Sequence, residues 1–105
     1  MTTIIPIHEA NVPATSERIG TRQFLELTGL SEALLAELIR MDWIVPTRTA
    51  QDEFLFVRLD VLRVRKFVRL CDDFELNAVA GTIIVDLLER IDSLERRVRT
   101  FSQMF

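Results

Sequence analysis

The sequence has no tyrosine, one cysteine, one histidine, three glycines and three prolines among 105 residues. A lone Cys71 excludes an intrachain disulfide, and no Cys or His neighbour stands at zinc-ligand spacing. So few glycines and prolines, with 28% charged and 49% hydrophobic residues, describe an ordered chain. There is no glycine-rich phosphate loop. No run approaches the ~18 apolar residues of a membrane helix. The N-terminus, MTTIIPIHEA, lacks the basic start and long apolar stretch of a secretory leader. A cytoplasmic location is expected, with no membrane partner. His8 reads as a solvated residue in a tail. The pairs Asp52/Glu53 and Asp72/Asp73 fall in turns, whereas paired-carboxylate catalysis or calcium binding needs a wider, more regular set. No enzyme activity, metal or cofactor is expected.

An excess of positive charge is also missing. The formal net charge is −3 and the pI about 5.1, far from the pI above roughly 9 that marks a nucleic-acid-binding domain. The length fits one domain. A chain this short buries a limited fraction of its surface, so a partner subunit would help its stability.

What is there is mostly helical. Residues 1–18 form an N-terminal segment, partly flexible, in which Ile4, Ile5 and Ile7 spell a short strand that Pro6 confines to an edge. Residues 21–28 (TRQFLELT) make a short helix with Phe24, Leu25 and Leu27 on its apolar side. Gly29 follows, where a left-handed helix-ending residue belongs. Ser31 is a suitable N-cap for the next helix, and Glu32 suits its first turn. Leu34, Leu35, Leu38 and Ile39 give that helix one apolar face. Helix, tight turn, helix is the helix-turn-helix pattern.

Trp43, Ile44 and Val45 form an apolar exit ended by Pro46, and Thr47 to Glu53 is polar. Phe54 to Val57 reads as a strand, so the two arms would form a small hairpin, or wing. Residues 59–71 return to helical spacing, with Arg58, Arg63, Arg65, Lys66 and Arg69 on a basic outer face. Asn77 caps a last helix over roughly 78–104. There Ile84, Leu87, Ile91, Leu94, Val98, Phe101 and Phe105 alternate by three and four, the spacing of a coiled-coil seam. The expected organisation is a winged helix-turn-helix domain over 19–76 and a coiled-coil dimerisation helix over 77–105, giving a homodimer.

This order of elements resembles the MerR-like family. The resemblance rests on the Leu27-Thr28-Gly29-Leu30-Ser31 turn, the Met41-Asp42-Trp43-Ile44-Val45-Pro46 exit, the Arg58–Leu70 helix and the Asp73-Phe74-Glu75-Leu76 turn. It implies a mainly α fold: a MerR-like winged helix-turn-helix with a small β-wing and a long C-terminal dimerisation helix. MerR-like dimers imply antiparallel pairing of that helix.

In a DNA-binding member the second helix enters the major groove, yet its outer positions here are Glu32, Ala33, Ala36 and Glu37. Carboxylates aimed at phosphates forfeit the counterion release that drives DNA affinity. No direct nucleic-acid partner is therefore expected. The alternative, a MerR-like DNA-binding regulator, would use Arg48, Arg58 and Arg63 against phosphates.

The chain is also similar to the chaperone-modulator (CbpM) family. The similarity runs through Thr28-Gly29, Ser31-Glu32, Glu37, Val45-Pro46, Phe54–Val57, Val68-Arg69-Leu70, Leu76-Asn77 and Leu94-Glu95-Arg96-Arg97-Val98. It departs at Ala78-Val79-Ala80, where a Trp-Pro pair can occur, and in its longer N-terminal segment. The similarity implies binding to, and inhibition of, the J-domain of a CbpA/DnaJ-type co-chaperone. The residues expected to make that contact are Glu32, Glu37 and Asp42 as acidic groups, with Leu30 and Ala33 as apolar ones.

Overall fold

The computed structural model describes residues 17–104. Ile4, Ile5, Ile7 and His8 lie outside the described residues, as does Phe105. The element order is β1 (Ile19–Gly20), α1 (Thr21–Thr28), α2 (Glu32–Arg40), β2 (Thr47–Arg48), β3 (Phe54–Phe56), α3 (Arg58–Phe74) and α4 (Ala78–Gln103). The mainly helical winged helix-turn-helix with a long C-terminal helix is what the sequence pattern leads one to expect.

The α1–α2 turn is built from short-range bonds. Gly29 has φ 75° and its N–H donates to the Leu25 carbonyl. The buried Thr28 hydroxyl donates to the Phe24 carbonyl (2.8 Å) and accepts from the Leu30 N–H (3.3 Å). Ser31 Oγ accepts from the Leu34 N–H at 3.1 Å, satisfying a free donor of α2. Asp42, at φ 59°, then ends that helix, and the Trp43 N–H reaches back to the Leu38 carbonyl. Aspartate tolerates this left-handed conformation better than most residues.

The wing differs from the sequence expectation in two ways. Its first arm lies past Pro46, so Thr47 pairs with Leu55 and Arg48 with Phe54. A third strand also joins it, with Ile19 opposite Phe56 and Gly20 opposite Leu55, giving the order β1-β3-β2. Two residues carry no period, which is why Ile19–Gly20 is invisible as a strand. Its fixing comes from packing: Ile19, Phe24 and Phe56 are fully buried, and the Phe24 and Phe56 rings stack at 4.0 Å.

The core joins these residues to Leu30, Leu35, Leu38, Ile44, Val61, Val64, Phe67 and Val85. It ends at Val85. Helix α4 is 26 residues long, about 39 Å at 1.5 Å per residue, and the molecule measures 53 × 31 × 30 Å. Only Gly81, Thr82 and Val85 of α4 are buried. At Gly81 the two helices touch: a Cβ there would lie 2.5 Å from Cys71 Sγ and 2.7 Å from Phe67 Cε1. No helix among the described residues is long and apolar enough to cross a membrane.

Candidate functional site

Helix α2 buries Leu35 and Leu38 and turns Glu32, Ala33, Ala36 and Arg40 outward, with Glu37 half-buried beside them. The spacing follows from one residue about every 100°. Glu32, Ala33 and Glu37 therefore share one face. Arg40, in the last turn, adds one positive charge to it. Asp42 follows, exposed, in the turn that ends the helix.

Leu30 does not belong to that surface. It is 6% exposed and packs in the core, because the Gly29 turn folds it inward between α1 and α2. The expected apolar contact at Leu30 is corrected accordingly. Ala33 and Ala36 are the apolar surface that α2 presents.

The three arginines weighed as phosphate contacts have different fates. Arg48, on β2, pairs with Asp52 at 2.6 Å and lies over the Phe54 ring at 5.1 Å. Arg58 opens α3 and is half-buried. Arg63 is committed inside the molecule. Its Nε donates to Glu89 Oε2 (2.9 Å), Nη1 to the Trp43 carbonyl (3.1 Å) and Nη2 to Asp86 Oδ1 (3.0 Å). Its guanidinium sits 4.1 Å from the Trp43 ring, whose Nε1–H donates to the same Asp86 oxygen at 2.8 Å. One side chain thus ties the exit of α2, the middle of α3 and the third and fourth turns of α4. Arg65 is used in a similar way, Nε donating to the Leu27 carbonyl at 2.7 Å; burial lowers its pKa.

This clamp escapes sequence reading because Asp86 and Glu89 lie 23 and 26 positions from Arg63. The one available signal was Asp86 and Glu89 breaking an apolar helix three residues apart. Cys71 is half-buried, and its thiol pKa is raised, first by burial and then by the neighbouring Asp72 charge. Among the described residues no group of three or more His, Cys, Asp or Glu side chains could hold a metal ion.

The long helix carries the second candidate surface. Leu87, Ile91, Leu94, Val98 and Phe101 are 42–63% exposed. Ile84 is half-buried, and at the N-terminal end Ile83 and Val79 are the exposed residues. The apolar stripe therefore starts one turn earlier than the 3-4 spacing suggests, at Val79. It lies roughly opposite Gly81, Thr82 and Val85, which face the chain's own core.

A helix-turn-helix, a three-stranded wing and a long helix projecting from them define the class: a winged helix-turn-helix regulator fold. A family profile described as MerR HTH family regulatory protein matches residues 19–103, and the chain belongs to that family. No curated protein matches the chain.

Proposed function

We propose that this chain is a protein-binding member of its family, one that docks the outward face of α2 on the basic surface of a J-domain co-chaperone and inhibits it. The observation that carries the reading is the charge of that face: Glu32 and Glu37 flank Ala33 and Ala36, and Arg40 alone opposes them. The resemblance to chaperone modulators names the partner class. No bond is broken in such a mechanism. Carboxylates pair with lysine and arginine side chains around a small apolar patch, and the J-domain is kept from its partner chaperone by occupancy. Glu32, Glu37 and Asp42 are the acidic contacts and Ala33 the apolar one. The chain acts without a cofactor.

The test is charge reversal. Glu32→Lys with Glu37→Lys should weaken J-domain binding at least tenfold, because two attractive contacts become repulsive, while the far-ultraviolet spectrum stays unchanged. Unchanged affinity sinks this assignment of the face.

A second reading has its own support. Arg48 on the wing and Arg58 at the start of α3 are the cations that a DNA-binding regulator would use against phosphates. A gel shift against duplex DNA addresses it. A regulator would bind with an affinity that falls steeply as salt rises. The J-domain reading requires no shift.

The same proposal includes a homodimer formed through α4. Val79, Ile83, Leu87, Ile91, Leu94, Val98 and Phe101 make a continuous exposed apolar stripe, and stripes of this extent mark interaction surfaces.

A further inference from the structure

We infer that the elbow between α3 and α4 of one copy receives the end of α4 from a second copy, with Phe74 entering the hollow framed by Ile91, Leu94, Glu95 and Val98. The inference rests on the dimer reading above and adds to it a contact area that lies outside α4.

The elbow holds a large apolar side chain outward. Glu75 ends α3 at φ 53°, and the N–H groups of Glu75 and Leu76 both donate to the Cys71 carbonyl. Glycine or asparagine usually takes such a left-handed position. Phe74, just before it, is 66% exposed. The apolar stripe, which begins at Val79 and Ile83, therefore continues past the first residue of α4. A helix laid along the stripe covers Phe74 only by reaching beyond the start of α4.

Charge identifies the occupant. Asp72, Asp73 and Glu75 are exposed around Phe74 and form no ion pair among the described residues. The end of α4, from Glu95 to Met104, sets Arg96, Arg97 and Arg99 against one acid, Glu95, and exposes Val98 and Met104. Arg96 pairs with Asp92 of its own helix, whereas Arg97 and Arg99 are in no ion pair among the described residues. An acidic elbow with an apolar centre thus matches a basic tip with an apolar side. An antiparallel pair brings each tip to the other copy's elbow, in keeping with the pairing that the family resemblance implies. A parallel pair would bring the two acidic elbows to one end.

The seam selects a register that makes this contact. Ile84, Ile91 and Val98 occupy one core position and Leu87, Leu94 and Phe101 the other. Ile83, Arg90 and Arg97 flank the seam on one side, and Leu88, Glu95 and Ser102 on the other. In an antiparallel pair each flank meets its own kind. Consider the registers that overlap about four turns of α4 or more. With Ile91 opposite Leu87, Arg90 faces Arg90. With Ile91 opposite Leu94, Arg90 faces Arg97. With Val98 opposite Leu94, Arg97 faces Arg97. With Ile84 opposite Leu87, Arg90 faces Ile83 and no like charges meet along the seam.

In that last register α4 overlaps α4 from Ala78 to Ser93. Leu94 comes level with Asn77 of the other copy, and the tip beyond it can meet only the elbow. Ile91, Leu94, Glu95 and Val98 stand at i, i+3, i+4 and i+7, the frame of a hole for a knob. They line an open hollow of about 360 Å³ together with Arg99, which brings a cation to the elbow carboxylates. A regular coiled coil would fill that hole from position 77. Asn77 is instead the N-cap of α4, its side chain accepting from the Ala80 N–H at 2.8 Å. The apolar knob at that level is Phe74.

Light scattering of the full-length chain first gives the assembly. A monomer overturns the dimer reading and this contact with it, and leaves the J-domain reading untouched. In a dimer, Phe74→Ala raises the dissociation constant by about tenfold or more, because two apolar anchors are lost per dimer. The far-ultraviolet spectrum stays unchanged, since Phe74 is exposed. An unchanged dissociation constant overturns the elbow contact and leaves the dimer standing. The register is read from the full-length chain with Cys71→Ala and Gln103→Cys, spin-labelled at the end of α4. With the tip on the elbow the two labels stand about 55 Å apart, from an axial offset of about 35 residues and the width of two helices. Each of the other antiparallel registers above, and a parallel pair, brings them to about 45 Å or less, which overturns the proposal.

Discussion

Replacing Arg63 with alanine removes three hydrogen bonds and a stacked guanidinium at once. The acidic ends of its two ion pairs are exposed, 55% for Asp86 and 39% for Glu89, so each pair contributes only about 0.2–1 kcal/mol. The bond to the Trp43 carbonyl adds about 1 kcal/mol, and the contact with the indole face about 1 kcal/mol. These contacts form one network and do not add strictly. The expected loss is about 2–3 kcal/mol, a fall in Tm on the order of 10 °C for a chain of this length. Arg63→Lys should recover less than half of it, because an ammonium group cannot reach three acceptors in one plane. Urea denaturation followed by circular dichroism, at one fixed protein concentration, measures both. A loss below about 0.5 kcal/mol, or full rescue by lysine, refutes the clamp. An Arg63 that served phosphates would leave stability intact and change duplex affinity instead.

Gly81→Ala should destabilise by about 1–2 kcal/mol, since overpacking against Cys71 and Phe67 outweighs alanine's better helix propensity; a more stable variant would refute the close approach. Leu30→Ala should cost about 2–4 kcal/mol as a core truncation, whereas Ala33→Glu should leave the melting curve in place, because Ala33 is exposed. The Cys71 thiol pKa is raised by burial and by Asp72, so alkylation should reach half-rate at higher pH than for a free cysteine, and Asp72→Asn should lower that midpoint. The folded thiol keeps its proton to higher pH than the unfolded one. Its contribution to stability is thus full below the unfolded thiol's pKa and lost as pH rises through the folded value.

The elements whose signals are local were legible in the sequence. Gly29, Ser31 and Asn77 act where their chemistry places them: the glycine in a left-handed cap, the two N-caps accepting from Leu34 and Ala80. The 3-4 spacing marked the long helix, which runs to Gln103. What was not legible depends on partners distant in the chain. Ile19–Gly20 becomes a strand only through Phe56 and Leu55. Arg63 looked like part of a solvated basic face until Asp86, Glu89 and Trp43 came beside it. The stripe begins at Val79, which spacing alone could not say, because the side of α4 that its own domain covers is a tertiary fact. On the candidate face, Glu32 and Ala33 are exposed and Leu30 is not; a leucine after a helix-ending glycine has no periodicity to tell inward from outward.

The most direct test of the proposed function is a calorimetric titration of the full-length protein with a J-domain from the same cell, at low and at high salt, beside a titration with duplex DNA. An acidic docking face requires J-domain binding at micromolar concentration or tighter that weakens as salt rises, and no heat with DNA. Salt-sensitive DNA binding with no J-domain heat would contradict it, and would return the function to the wing, to Arg48 and to Arg58.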